Sequence, residues 1–292
     1  MRKRENAARY AAEAGPSLGM WRYRDVLPEV APVTLGEGWT PMLRSRRHAG
    51  LLVKDEGVNP AGSFEARGMA VAVAVAKRDG VGHLALAEGG DAASALAAYA
   101  AAAGIAAHVS LTKDGEFENR VECAVYGAEI GGGERDPAWV EVSAEWRIEG
   151  AKTMGYEVAE QLGWRYPEAV IFAGGELGVA GIQKAFAEME AMGWVEGTRP
   201  RMYRGEGVSE EEIVASTLDY ARHEGLFLSP AGAAGMAVYE RLLGEGELRA
   251  EDAVVVFDPG LRSVEKMAAA LRVRRPACLP RSMPVGGIIT PV

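Results

Sequence analysis

With two cysteines, Cys123 and Cys278, the chain has room for one disulfide at most and cannot build a cysteine zinc site. Histidine is almost as scarce: His48, His83, His108 and His223 show no paired ligand spacing, so no metal site is expected. Positive charge is also short. A net charge of −9 leaves no broad basic face for a nucleic acid. Long apolar runs are missing too. The one long uncharged stretch, Ala92 to Thr112, is mostly alanine and is broken by Gly104. It reads as a helix of about thirteen residues followed by a buried strand, not as a membrane span. The N-terminus, Met1-Arg2-Lys3-Arg4-Glu5, leads into an alanine-rich stretch that carries arginine and glutamate rather than an apolar signal core. A soluble, cytoplasmic protein with no nucleic-acid or membrane partner is expected.

What remains is an ordinary globular composition, 48% hydrophobic and 25% charged, over 292 residues, enough chain for about two domains. Short apolar runs alternate with helical patterns. Strands are expected at Leu51–Lys54, His83–Leu86, Ala106–Leu111, Ala169–Phe172 and Ala253–Phe257, the last a continuous apolar run of the kind buried on both faces of a parallel sheet. Helices are expected from Phe64 to about Lys77, over Ala92–Ala103, over Phe117–Tyr126 and from the Gly-rich turn at 173–178 to about Met192. Ser209 with Glu212 three residues on is a capping box that starts another helix. Alternating strands and helices imply an open, mostly parallel α/β architecture, whose ligands sit beyond the carboxyl ends of the strands. The loops to read are therefore 55–63, 87–91, 173–178 and 258–263.

Leu35-Gly36-Glu37-Gly38-Trp39-Thr40-Pro41, followed by Lys54-Asp55-Glu56-Gly57-Val58-Asn59-Pro60-Ala61-Gly62-Ser63-Phe64, resembles threonine synthase. The likeness continues through Trp21-Arg22-Tyr23-Arg24, Leu96–Ala101, Gly150–Thr153, Tyr156–Trp164 and Ser229–Ala234, and so covers about residues 20–270. The resemblance implies the two-domain pyridoxal-phosphate fold type II, shared with tryptophan synthase β and the serine/threonine dehydratases, and a homodimer. It implies an N-terminal arm at 1–19, a larger α/β domain from 20–62 plus 150–292, and a smaller one at 63–149.

The cofactor motifs depart from that pattern. After Gly-Ser-Phe the family carries the lysine that forms the Schiff base with pyridoxal phosphate; here Ser63-Phe64 is followed by Glu65-Ala66-Arg67-Gly68, and a carboxylate cannot form an imine. The loop whose asparagine meets the cofactor ring in the family reads Glu88-Gly89-Gly90-Asp91. The phosphate cradle reads Gly174-Gly175-Glu176-Leu177-Gly178, and the turn near the pyridine nitrogen reads Phe257-Asp258-Pro259-Gly260-Leu261. An anion at Glu176 set about 4 Å from the phosphate would cost roughly 4 kcal/mol at an effective dielectric near 20. No cofactor is expected on this reading.

Ser63, Arg67, Glu88, Asp91, Gly174, Gly175, Glu176 and Asp258 are accordingly the candidate ligand-binding residues, and Glu65 is the candidate catalytic one. Three functions compete. The first is a threonine-synthase-like pseudoenzyme that binds a small cationic or amine ligand or a protein partner. The second is an enzyme of different chemistry using the acidic crevice around Glu65. The third is residual pyridoxal-phosphate lyase or replacement chemistry on an amino acid through a displaced lysine, Lys54 or Lys152 being the two that border the pocket.

Overall fold

The computed structural model describes residues 16–111, 117–131, 138–195 and 197–260, with Asp136 and Leu271 besides. Residues up to Arg262 form one compact unit; of the second unit, Ser263–Val292, only Leu271 is described. Cys278, Leu261, the tail at 285–292 and most of the 1–19 arm thus lie outside the described residues.

In chain order the strands are β1 (Met42–Arg44), β2 (Leu51–Asp55), β3 (His83–Leu86), β4 (Ala106–Val109), β5 (Glu129–Ile130), β6 (Val140–Glu141), β7 (Ala169–Phe172), β8 (Arg201–Arg204) and β9 (Val254–Asp258). The helices are α1 (Glu65–Arg78), α2 (Asp91–Ala103), α3 (Phe117–Val125), α4 (Ala144–Ala151), α5 (Thr153–Gln161), α6 (Glu176–Met192), α7 (Glu210–Glu224) and α8 (Pro230–Gly244). One sheet runs β1-β2-β9-β7-β8 and the other β5-β4-β3-β6. Among the described strands, only β1 is antiparallel to its neighbour. The fold is thus the mostly parallel α/β one, with two sheets.

β9 sits in the middle of the larger sheet, which explains its unbroken apolar run. Val254 and Val256 face the cluster with Met236 and Tyr239 of α8, while Val255 and Phe257 face Met154 of α5 and Ile182 of α6. Both faces are buried, so no polar alternation survives. The strands expected at 83–86 and 169–172 form over those residues, and Ser209 closes its capping box with Glu212. Several elements carry no period of their own. β1, β5 and β6 have two or three residues each, and β8 is half exposed at an edge.

A fully buried set of four charges ties the two sheets' connecting segments together. Arg67, on the first turn of α1, donates from Nε and Nη2 to Glu56 at 2.7 and 2.9 Å. It donates from Nη1 and Nη2 to Glu157 of α5 at 2.5 and 2.9 Å. Lys54 Nζ, at the end of β2, reaches Glu157 at 2.8 Å, Thr40 O at 2.7 Å and Gln161 at 3.0 Å. The remaining acceptor capacity is filled by the Trp39 N–H on Glu157 and by the Thr40 hydroxyl and Asn59 amide on Glu56. Two cations and two carboxylates leave no net charge, and every polar atom finds a partner. Burial pushes the Glu157 carboxyl up, but the Arg67 guanidinium and then the Lys54 ammonium outweigh it and hold the value at about 2.

Two consequences can be measured. Arg67→Met, which leaves two buried carboxylates with Lys54 as their one remaining cation in the set, is expected to cost about 3–5 kcal/mol in urea unfolding. The folded Glu157 value lies below its ordinary 4.5, so its stabilisation is complete above that pH and disappears as pH falls toward 2. Urea midpoints should drop through that window in the parent chain and vary less in Glu157→Gln.

Candidate functional site

β2, β3, β7 and β9 end at Asp55, Leu86, Phe172 and Asp258, so the four loops singled out from the sequence do follow the carboxyl ends of strands. Three of them meet. Phe64 donates its N–H to Pro259 O at 2.9 Å, and a Cβ on Gly260 would lie 2.7 Å from Asp91 Oδ2 and 3.8 Å from Ser63 Cβ. Ser63, wholly buried, accepts the Glu65 N–H at 3.2 Å and so starts α1. Just before it, Ala61 holds φ 54°, a left-handed conformation that costs an alanine about 1 kcal/mol or more.

Helix geometry decides where Glu65 goes. It lies two residues from Arg67, hence on the opposite side of α1, and three from Gly68, hence on the same side. Gly68 packs against the backbone of Arg147, where a Cβ would sit 3.1 Å from its Cα, and across the same crossing a Cβ on Gly150 would meet Arg67 O at 2.0 Å. With α1 and α4 this close, Arg147 Nη2 reaches Glu65 Oε2 at 3.1 Å. The same guanidinium forks onto Glu88, with both nitrogens at 3.0 Å. Arg147 is 2% exposed and Glu65 13%, whereas Glu88, at 58%, stands at the rim. Burial raises the Glu65 carboxyl above its ordinary value; Arg147 opposes that shift and Glu88 adds to it.

Arg147 is the residue that sequence reasoning missed. A single arginine in Trp146-Arg147-Ile148-Glu149 has no spacing to mark it, and only the close crossing of α1 and α4 brings it to Glu65.

Other expected site residues lie elsewhere. Arg67 faces the buried charge set and is inaccessible to a ligand. Glu176, on the first turn of α6, turns outward to pair with Arg204 of β8, with 2.9 Å between Oε2 and Nη2, so the charge penalty expected at the cradle does not arise. Asp258 is buried and accepts the Ser229 N–H at 3.1 Å, an anion at the N-terminus of α8. Gly174 and Gly178 border the Phe172 ring: a Cβ on either would come within 2.5 or 2.4 Å of it. Phe172 in turn meets Phe64 and Phe257 edge-on, with centroids 5.3 and 5.4 Å apart. Gly175 borders open space.

Two mostly parallel sheets flanked by helices, with a site at the strands' carboxyl ends, define the general class. Residues 33–203 match the family described as pyridoxal-phosphate dependent enzyme, and the chain belongs to it. It is 29% identical to a threonine synthase of Methanosarcina acetivorans over 82% of this chain and 79% of that one. It is also 29% identical to a threonine synthase of Methanocaldococcus jannaschii over 83% and 80%. Among solved structures, a fungal L-serine ammonia-lyase from Rhizomucor miehei superposes with a TM-score of 0.65 at 15% identity, covering 80% of this chain and 98% of that one. A pyridoxal 5'-phosphate-dependent aspartate racemase gives 0.60 at 18%, covering 76% and 89%. At these identities the two structures speak for the fold alone.

The family match corrects the expectation of no cofactor: the group to which it points is pyridoxal phosphate. Imine anchoring, however, does not fit the described residues that border the site. Position 65 offers a carboxylate held by Arg147. Lys54 is wholly buried with three partners, and Lys152 is held by Glu149 and Glu188 at 2.6 and 3.0 Å. No step through the cofactor follows from these residues.

Arg147→Met leaves Glu65 buried without its counter-charge, and a loss of about 1–3 kcal/mol is expected at neutral pH. Because the Glu65 value is raised, it takes up its proton first as the medium is acidified. The loss should therefore shrink as pH falls from neutral toward the ordinary carboxylate range, as read from urea midpoints of variant and parent at two pH values.

Proposed function

We propose that this chain is a threonine-synthase-like pseudoenzyme: a member of the pyridoxal-phosphate dependent family that keeps the scaffold, lacks the Schiff-base lysine and works as a ligand-binding or protein-binding regulatory partner. The observation that carries this reading is the Glu65–Arg147–Glu88 cluster. A nucleophilic amine must be free and deprotonated to attack a carbonyl. The position that the resemblance gives to that amine instead carries a carboxylate committed to a guanidinium. On this reading the exposed carboxylate of Glu88, beside Asp91, meets a small cationic or amine ligand or a basic side chain of a partner. The same reading makes the protein cytoplasmic and homodimeric.

The test is to add pyridoxal phosphate, record the visible spectrum, reduce with borohydride and map the labelled peptides, with Glu65→Lys in parallel. The parent chain should yield no reduced adduct, while Glu65→Lys should gain one at residue 65. A reduced adduct at Lys54 or Lys152 of the parent would overturn the reading.

One observation favours a second reading, acid–base chemistry by Glu65: its carboxyl is buried and shifted upward, toward the range in which a carboxyl can both take and give a proton. That reading requires Glu65→Gln to abolish a turnover while leaving the unfolding midpoint in place.

A further inference from the structure

We propose that His83 and His108 form a two-histidine seat for a first-row transition-metal ion, separate from the crevice and independent of the function proposed above. The two residues lie 25 apart in sequence, which is why no ligand spacing marks them. Adjacent parallel strands bring them together: Ala85 of β3 pairs with His108 of β4, and His83 sits diagonally across on the same face. His83 opens β3, whereas Glu88 follows the other end of that strand.

The facing ring nitrogens, His83 Nδ1 and His108 Nε2, are 3.5 Å apart. That is the outer limit of an N–H···N hydrogen bond, so without an ion the two rings make at most one long, weak bond to each other. An ion about 2.0–2.1 Å from each nitrogen would subtend roughly 115° at that separation, near the tetrahedral value.

His108 is further prepared. Its ring stacks on Trp139 with centroids 3.6 Å apart and planes 14° from parallel, which fixes its orientation. It is 8% exposed, and its other nitrogen, Nδ1, is buried without an aligned hydrogen bond. Glu129 Oε2, from β5, lies 3.0 Å from that nitrogen. A carboxylate at that distance from the far nitrogen of a ligating histidine helps to orient the ring. His83, by contrast, is exposed and gives an ion its way in.

Among the described residues no three side chains converge on one ion, so water completes the coordination. Two imidazoles and water suit Cu²⁺ first, then Ni²⁺ and Zn²⁺.

The test uses the full chain without a histidine tag, titrated with Cu²⁺ and followed by calorimetry and electron paramagnetic resonance. One equivalent should bind with a two-nitrogen signature. His83→Ala, at an exposed position that leaves the core intact, should weaken binding at least about tenfold, and Glu129→Gln by about 10–100-fold. Unchanged affinity in His83→Ala, or no nitrogen signature in the parent chain, would overturn the proposal.

Discussion

Everything near the crevice depends on the neutral set of four buried charges formed by Glu56, Arg67, Glu157 and Lys54. Burying one such ion costs several kcal/mol, and only full pairing offsets that cost. The set therefore tolerates very few arrangements of the chain around it. It fixes the end of β2, the turn at 56–59, the first turn of α1 and the start of α5 in one relation. Trp39 shows how firm that is: it keeps φ at 51°, with its N–H on Glu157 and its ring under the Arg22 guanidinium at 3.9 Å.

From that anchor the site follows by helix geometry. With Arg67 turned inward, Glu65 must emerge on the other side of α1, where α4 approaches at Gly68 and Gly150. The guanidinium of Arg147 then lies between a buried carboxylate and an exposed one. Phe172, Phe64 and Phe257 fill the space beside the glycine turn with aromatic surface. The scaffold is that of the pyridoxal-phosphate dependent family, and the cofactor that the family implies is pyridoxal phosphate. Among the described residues at the site, position 65 carries a carboxylate held by Arg147, and Lys54 and Lys152 are each held by carboxylates.

Much of this was legible beforehand, for identifiable reasons. β3 and β7 could be read because each is a short apolar run bounded by turn residues, and α7 because Ser209 and Glu212 announce its start. The four loops could be named because in a parallel sheet they follow the carboxyl ends of the strands. Arg147, the partner toward which Glu176 turns outward and the inward turn of Asp258 could not be read. Each depends on a partner distant in sequence: Glu65 and Glu88 for the first, Arg204 for the second, the N-terminus of α8 for the third. The His83–His108 pair escaped for the same reason, since strand pairing alone sets its spacing.

The sequence by itself determined the mostly parallel α/β class, the family and the carboxylate at position 65, because apolar periodicity, turn residues and motif identity are local properties of the chain. Only the tertiary structure decided which charges are buried, which carboxylates share Arg147 and which glycines border an aromatic ring. Burial and charge pairing are set by residues tens of positions apart, and those meet only when the sheets and helices pack.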